Sequence, residues 1–473
     1  MSYETTITNI IMPTSDTICA ISTAQGGAIG VIRVSGPEAI DAASRIFTPM
    51  HGKPLHERPH YTLTFGKIHA ADGEVIDEVL VSLFRAPHSY TGEDSVEISC
   101  HGSTYILQQV MSRLLENGCR LAQPGEYTQR AFLNGKMDLS QAEAVADLIA
   151  STSAATHRLA MNQMRGGFSK ELSTLRDKLL HLTSLMELEL DFSDHEELEF
   201  ADRSELSQIA SDIERTVSRL AHSFSVGNAI KNGVPVAIIG ETNVGKSTLL
   251  NALLGEERAI VSDIHGTTRD VIEDTVNLRG ITFRFIDTAG IRQTTDVVES
   301  IGIERTYQKM NQASIVLWMI DSTNSESTIQ NSEFRNAISD KRLLLLFNKS
   351  DQITPEQREA LEQAFAYIDA PKLFISAKSR TGLEELETLL VNTAALPEVS
   401  QSDVIVTNLR HYEALVRALD SIHRVQDGLQ MQLSGDFVSQ DLRECIHHLS
   451  DIVGEVSTDS VLQNIFKHFC IGK

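Results

Sequence analysis

Along roughly the first third of the chain, apolar and polar residues alternate in short runs. AIGVIRVSG (28–36) and TLTFGKIHA (62–70) have the two-residue period of half-buried strands, and the ADGEV turn (71–75) reads as a hairpin. Gly and Pro punctuate these runs, so residues 1–137 read as a mixed α/β or α+β domain. From Leu139 the period changes. Leu172, Leu175, Leu179, Leu182 and Met186 fall on one face of a helix, and 138–228 reads as the first part of a helical domain. The acidic run DFSDHEELEFADRSEL (191–206) interrupts it and reads as a solvated turn between long helices.

Past Val234 the pattern changes again. Continuous apolar runs in VAIIG, ITFRFIDTAG, SIVLWMID, RLLLLFNKSD and KLFISA alternate with helical stretches, which predicts a parallel, doubly wound sheet over 229–397. LPEVSQSDVIVT (396–407) reads as its exit linker, and 398–473 is helical once more. The economical reading is one helical domain, in two halves, with the α/β domain inserted between them.

At 473 residues the chain is too long for a single core. No apolar run is long enough to span a membrane, and MSYETTITNI has no export pattern, so the cytoplasm and no membrane association are expected. Cys19, Cys100, Cys119, Cys445 and Cys470 form no C-x-x-C pair, which favours reduced thiols over a zinc site. The net charge of −23 argues against nucleic-acid binding spread over the whole surface; an RNA partner would have to meet a local patch or a second subunit.

The chemistry lies in the inserted domain. GETNVGKST (240–248) is G-x-x-x-x-G-K-[ST] after a strand and before a helix. Asn243, Val244, Gly245, Lys246, Ser247 and Thr248 should cradle phosphates, with Lys246 on the outer phosphates and Ser247 on Mg2+. Thr268 in GTTRD is the expected second Mg2+ ligand. Asp287, Thr288, Ala289 and Gly290 form the DTAG turn, where Asp287 faces the metal's water shell and the Gly290 amide meets the γ-phosphate. Asn348, Lys349 and Asp351 of NKSD, with Ser376, Ala377 and Lys378, complete a guanine pocket: an aspartate accepts from N1 and the 2-amino group, which adenine cannot offer. The ligand is therefore GTP, on a Ras-like G domain. One position departs from that pattern. Where a glutamine often orients the attacking water, the residue after DTAG is Ile291, a hydrocarbon that cannot do so.

These motifs, GEYTQRAFLNGKMDLSQAEAVADLI (125–149) and the terminal FCIGK together resemble the MnmE (TrmE) family of tRNA-modification GTPases over the whole length. The resemblance implies that Glu299 orients the water instead. It implies a potassium ion held by Asn243, Ser262, Ile264 and Thr267, in a nucleotide-facing segment that includes Asp263, His265 and Gly266. It further implies a homodimer whose G domains meet to complete that site; Arg292 reads as a structural or switch residue or as an intermolecular finger. Many relatives carry a basic residue and a proline where this chain has Glu241 and Thr242, a difference that bears on nucleotide affinity.

By the same resemblance, residues 1–137 are a folate-binding and dimerisation domain, with Arg33, Glu97, Lys136 and Lys473 holding a 5-formyl- or methylene-tetrahydrofolate. Cys470 reads equally as a reactive thiol or a small buried residue. The implied activity is K+-dependent GTP hydrolysis serving modification of tRNA wobble uridine at C5, to 5-carboxymethylaminomethyl or aminomethyl uridine. An FAD-dependent partner, MnmG, would join the homodimer in a heterotetramer and contribute most of the tRNA binding. The G motifs alone also fit a ribosome-assembly GTPase or a scaffolding GTP switch.

Overall fold

The computed structural model describes residues 16–24, 26–191, 203–241, 243–256, 274–286, 313–324, 341–396, 403–456, 459–467, 469 and 472. The acidic run over 192–202 and the exit linker over 397–402 lie outside the described residues. The chain divides into two compact units: residues 1–146, 163–173 and 446–473, and residues 147–162 and 174–445.

The first unit is built on seven strands, β1 (Thr17–Ile21), β2 (Ile29–Ser35), β3 (Phe47–Pro49), β4 (Thr62–His69), β5 (Val75–Phe84), β6 (Ser95–His101) and β7 (Cys119–Leu121). They are ordered β3-β4-β5-β6-β2-β1-β7 and pair antiparallel except for β1 with β7. Alternation sends Val79, Val81 and Leu83 of β5 inward, beneath the helices Ala39–Ile46 and Thr104–Glu116. The second helix forms because Leu107, Val110, Met111 and Leu114 recur at helical spacing and are all buried; full burial of each large side chain stabilises by about 1.5–3 kcal/mol. Further along, Phe132, Leu139 and Ala142 share a core with Leu462 and Phe466 of the helix Asp459–Phe466.

The second unit contains a six-stranded sheet of β8 (Val234–Ile239), β9 (Asp274–Leu278), β10 (Ile281–Phe285), β11 (Ile315–Asp321), β12 (Arg342–Asn348) and β13 (Lys372–Phe374), ordered β13-β12-β11-β8-β10-β9. Successive residues of β8 feed opposite cores. Val236 and Ile238 pack with Leu249, Leu253, Leu386 and Leu390 of the helices Lys246–Glu256 and Leu383–Ala394, while Ala237 and Ile239 pack with Leu361 and Phe365 around the helix Pro355–Ala364. Burial on both faces accounts for the unbroken apolar runs in the sequence. The expected all-parallel sheet needs one amendment: β9 is an antiparallel edge strand. A two-residue turn joins it to β10, with Arg279 (φ 51°) and Gly280 (φ 85°) both left-handed, which matches the natural twist of a tight hairpin.

Around this sheet, the helices Arg203–Asn232 and Leu409–Gln430 pack side by side, with Phe224 and Tyr412 stacked at 4.6 Å. The sheet is thus inserted between two helices that touch. The first helix enters β8 through Gly233 alone (φ 83°). On the exit side, residues 403–408 are pinned back: Val406 N donates to Ser223 Oγ (3.0 Å) and Asn162 Nδ2 to Asp403 O (2.8 Å). Glycine is required at Gly227, since a Cβ there would stand 2.1 Å from Val406 O. Among the described residues no helix is long and apolar enough to cross a membrane.

Candidate functional site

The helix Lys246–Glu256 follows β8 closely in the chain, and a helix amino terminus favours phosphate. Asn243 takes a left-handed φ of 63°, a conformation that asparagine tolerates. Gly245 is also left-handed (φ 104°), and a Cβ there would lie 2.3 Å from Asn348 Nδ2. Lys246 Nζ donates to the carbonyls of Gly240 and Glu241, both at 2.6 Å, folding its ammonium over the loop it serves. Ser247 and Thr248 occupy the first turn of the same helix.

Asn348, at the end of β12 and 3% exposed, joins the two halves of the pocket. Its Nδ2 donates to Val244 O (2.7 Å), and its Oδ1 accepts from Ala377 N (3.0 Å). The phosphate loop and the 376–378 turn are therefore held by one side chain. Asp351 accepts from the Ser376 hydroxyl, which, with Lys378 nearby, holds its carboxyl below the usual range. Lys349 (φ 64°) reaches Asp321 Oδ2 at 2.5 Å. Burial would raise the pKa of Asp321, but Lys349 and the Thr323 hydroxyl and amide lower it below the ordinary value. Asp321 escaped the sequence reading; its signal is an acid at the carboxyl end of a parallel strand, where ligand contacts gather.

In the first unit Arg33 and Glu97 are direct cross-strand partners on β2 and β6. Arg33 Nε and Nη2 both donate to Glu97 Oε1, at 2.9 and 2.8 Å, and among the described residues Oε2 accepts no hydrogen bond. The guanidinium lies 5.4 Å from the Tyr90 ring centroid and 5.6 Å from that of Tyr127. Tyr127 donates to Arg33 O (2.8 Å), and Tyr90 shares a hydrogen bond with Thr128 (2.9 Å). Burial pushes the Tyr90 phenol up from its ordinary pKa. Lys136 Nζ donates to Pro87 O (2.9 Å), and its methylenes lie against Gly92, on the loop that carries Tyr90. Gly472 docks beside this region: Ser22 Oγ donates to Gly472 O at 3.2 Å, and the left-handed φ of 94° brings its Cα so close that a Cβ would stand 2.7 Å from Ile21 O. A half-buried carboxylate with one oxygen not engaged by Arg33 suits a planar ring edged with amino groups.

An ionic network unseen in the sequence supports that pocket. Arg130, 3% exposed at its side chain, donates to Asp16 Oδ1 (2.8 Å), Glu126 Oε1 (2.9 Å) and Glu93 Oε1 (3.2 Å). Arg120 joins through Glu126 (2.5 Å) and Asp16. The helix Glu126–Leu133 is thereby fastened to the loop bearing Tyr90 and Glu93. Glu126 and Arg130 are an i,i+4 pair on one helix, but Asp16 and Glu93 join from far away in sequence, so spacing does not reveal the network.

Several expected residues lie outside the described residues: Thr242, Ser262, Asp263, Ile264, His265, Gly266, Thr267, Thr268, Asp287, Thr288, Ala289, Gly290, Ile291, Arg292, Glu299, Cys470 and Lys473. Cys19, Cys100, Cys119 and Cys445 are free and buried, and burial pushes the Cys445 thiol up to about 12. Among the described residues no cluster of His, Cys, Asp and Glu is arranged to hold a metal ion.

Two family models match the chain: "GTP-binding protein TrmE N-terminus" over residues 17–136 and "MnmE helical domain" over residues 139–470. Curated relatives align along its length. The tRNA modification GTPase MnmE of Bacteroides thetaiotaomicron is 69% identical over 97% of this chain and 99% of its own. The MnmE of Phocaeicola vulgatus is 66% identical over 98% and 100%, and that of Flavobacterium johnsoniae is 52% identical over 98% and 100%.

Proposed function

This chain belongs to the MnmE (TrmE) family of tRNA-modification GTPases, and from that membership we propose how its two pockets work together. It is a GTP hydrolase of tRNA modification. The observation that carries the nucleotide assignment is the Asn348 bridge, which sets the phosphate loop and the 376–378 turn on either side of one cleft, with Asp351 oriented by Ser376 for a guanine edge. Binding GTP requires Lys246 to leave the Gly240 and Glu241 carbonyls for the outer phosphates.

Ser247 and Thr268 hold Mg2+, and Asn243, Ser262, Ile264 and Thr267 hold K+ when the G domains of a homodimer meet. The two cations offset charge on the phosphate oxygens. The left-handed Asn243, exposed at the lip of the loop, suits a ligand that a second G domain must enclose. Glu299 orients the attacking water in place of the side chain that Ile291 lacks. Arg33, Glu97, Lys136 and Lys473 hold a tetrahydrofolate derivative, which supplies a one-carbon unit; the Arg33–Glu97 pair, with the guanidinium close to two tyrosine rings, and the docking of Gly472 on Ser22 favour this reading. With an FAD-dependent partner subunit, MnmG, the cytoplasmic product is tRNA carrying a 5-substituted wobble uridine.

The test is mass spectrometry of nucleosides from bulk tRNA of a strain lacking the gene, complemented with the wild-type or the Glu299→Ala copy. Loss of 5-substituted uridines, restored by wild type alone, is expected, and their persistence in the deletion strain would reject the tRNA reading. In vitro, Glu299→Ala should bind GTP normally and lose at least tenfold in turnover, and Na+ in place of K+ should slow wild-type hydrolysis.

A further inference from the structure

The loop between β3 and β4 departs from the acidity of the chain. Residues 51–61 carry His51, Lys53, His56, Arg58 and His60 against one acid, Glu57, in a protein of net charge −23. Arg58 donates to the carbonyls of Lys53 (2.7 Å) and His51 (2.8 Å), and Arg85, from the end of β5, donates to the carbonyls of His56 (2.7 Å) and Arg58 (3.1 Å). Among the described residues neither guanidinium meets a carboxylate, so the arginines shape the loop while leaving their charge uncancelled. Of the nearby acids, Glu57 stands 3.8 Å from both Lys53 and His56, and Asp94 accepts from the Ala86 amide.

An aromatic shelf lies on this basic loop. Tyr61 is 65% exposed yet held at φ 58°, a left-handed backbone that is costly for a bulky residue. Its amide is tied to Leu83 O (2.8 Å), and its ring meets His60 at 4.8 Å and Phe84 at 6.0 Å edge-on. His60 in turn lies 5.4 Å from His88. Strain that fixes an aromatic ring in solvent contributes nothing to a core and is typical of ligand clamps.

We propose that this shelf receives an unpaired segment of RNA, with a base stacked on Tyr61 and its edge toward His60, and the neighbouring phosphates drawn to Lys53, Arg58 and Arg85. The proposal rests on the reading that the chain acts on tRNA and assigns to the first unit a direct contact with it. Positive charge confined to one loop reconciles an acidic chain with a polyanionic substrate.

The test uses the full chain and a fluorescently labelled RNA hairpin with an unpaired uridine-rich loop, titrated by anisotropy over a salt series. Tyr61→Asn keeps the left-handed backbone and removes the ring; it should weaken binding about tenfold, the scale of one lost stacking contact. Lys53→Glu should weaken binding and flatten the salt dependence by about one phosphate contact. Circular dichroism and thermal melting of both variants should match the wild type, which checks that the first unit folds. Undetectable RNA binding by the wild type, or wild-type affinity in both variants, would overturn the proposal. So would a preference for anionic phospholipid vesicles that the same substitutions abolish. If both variants bind RNA normally while the deletion strain still lacks its modified uridines, only the shelf assignment falls; if the deletion strain's tRNA is unaltered, the enzymatic reading falls whatever the anisotropy shows.

Discussion

Asn348 shows how much of a site one buried side chain sets. Both of its hydrogen bonds tie together loops distant in sequence, and neither faces solvent. Asn348→Ala would leave the Ala377 amide and the Val244 carbonyl without that partner, a cost of about 1–3 kcal/mol for each group left buried and unsatisfied. We expect a lower melting temperature and at least a tenfold loss of GTP affinity by isothermal titration, with the loss of affinity remaining at temperatures where the variant is fully folded. Sequence motifs identified Asn348, Lys349, Asp351 and the 376–378 turn because a nucleotide pocket requires these residue types in a fixed order. They did not reveal that Asn348 acts as a brace, since that depends on which loops the sheet brings together. Asp321 was invisible for a related reason: an aspartate ending a strand becomes informative only once Lys349 is seen above it. Likewise Arg33 and Glu97 were chosen through resemblance alone, and their cross-strand pairing supplies the physical reason.

At the scale of elements, legibility followed periodicity. The helical face from Leu172 to Met186 is buried at every one of its five positions, and the strands of the inserted sheet were visible as apolar runs. The β9–β10 hairpin was missed because its signal is one short turn, Arg279–Gly280, between strands of five residues each. The ionic network around the helix Glu126–Leu133 was missed because the contributions of Asp16 and Glu93, tens of residues away, leave no pattern. That network makes the first unit sensitive to acid. Burial alone would raise the pKa values of Asp16 and Glu126, but hydrogen bonds and charge from Arg120 and Arg130 bring both below their ordinary values. A depressed folded pKa stabilises at pH above the unfolded value, near 4, and the contribution disappears as pH falls through the lower folded value. Thermal melting should therefore be level from neutral pH down to about 5 and fall steeply below about 4. Arg130→Met, which removes the buried guanidinium that pairs with Asp16, Glu93 and Glu126, should cost about 3 kcal/mol or more at neutral pH and blunt that acid transition.

On the scale of the whole molecule, the insertion is the organising fact. The two cores of the six-stranded sheet are drawn almost wholly from residues 234–394, so the sheet has what it needs to fold without the helices around it. A fragment of residues 229–397 is expected to fold cooperatively and bind GTP, as judged by circular dichroism and titration; a fragment that stays unfolded would mean that the helices Arg203–Asn232 and Leu409–Gln430 supply stability the sheet lacks. The same arrangement has a consequence for synthesis on the ribosome. The helix Arg203–Asn232 emerges long before its partner, because residues 233–408 must be translated in between. At about 5–20 residues per second this leaves a gap on the order of 10–35 seconds. Throughout it, the ring of Phe224 lacks the partner ring of Tyr412, so the nascent chain is most exposed to misassociation while the inserted sheet is still being made.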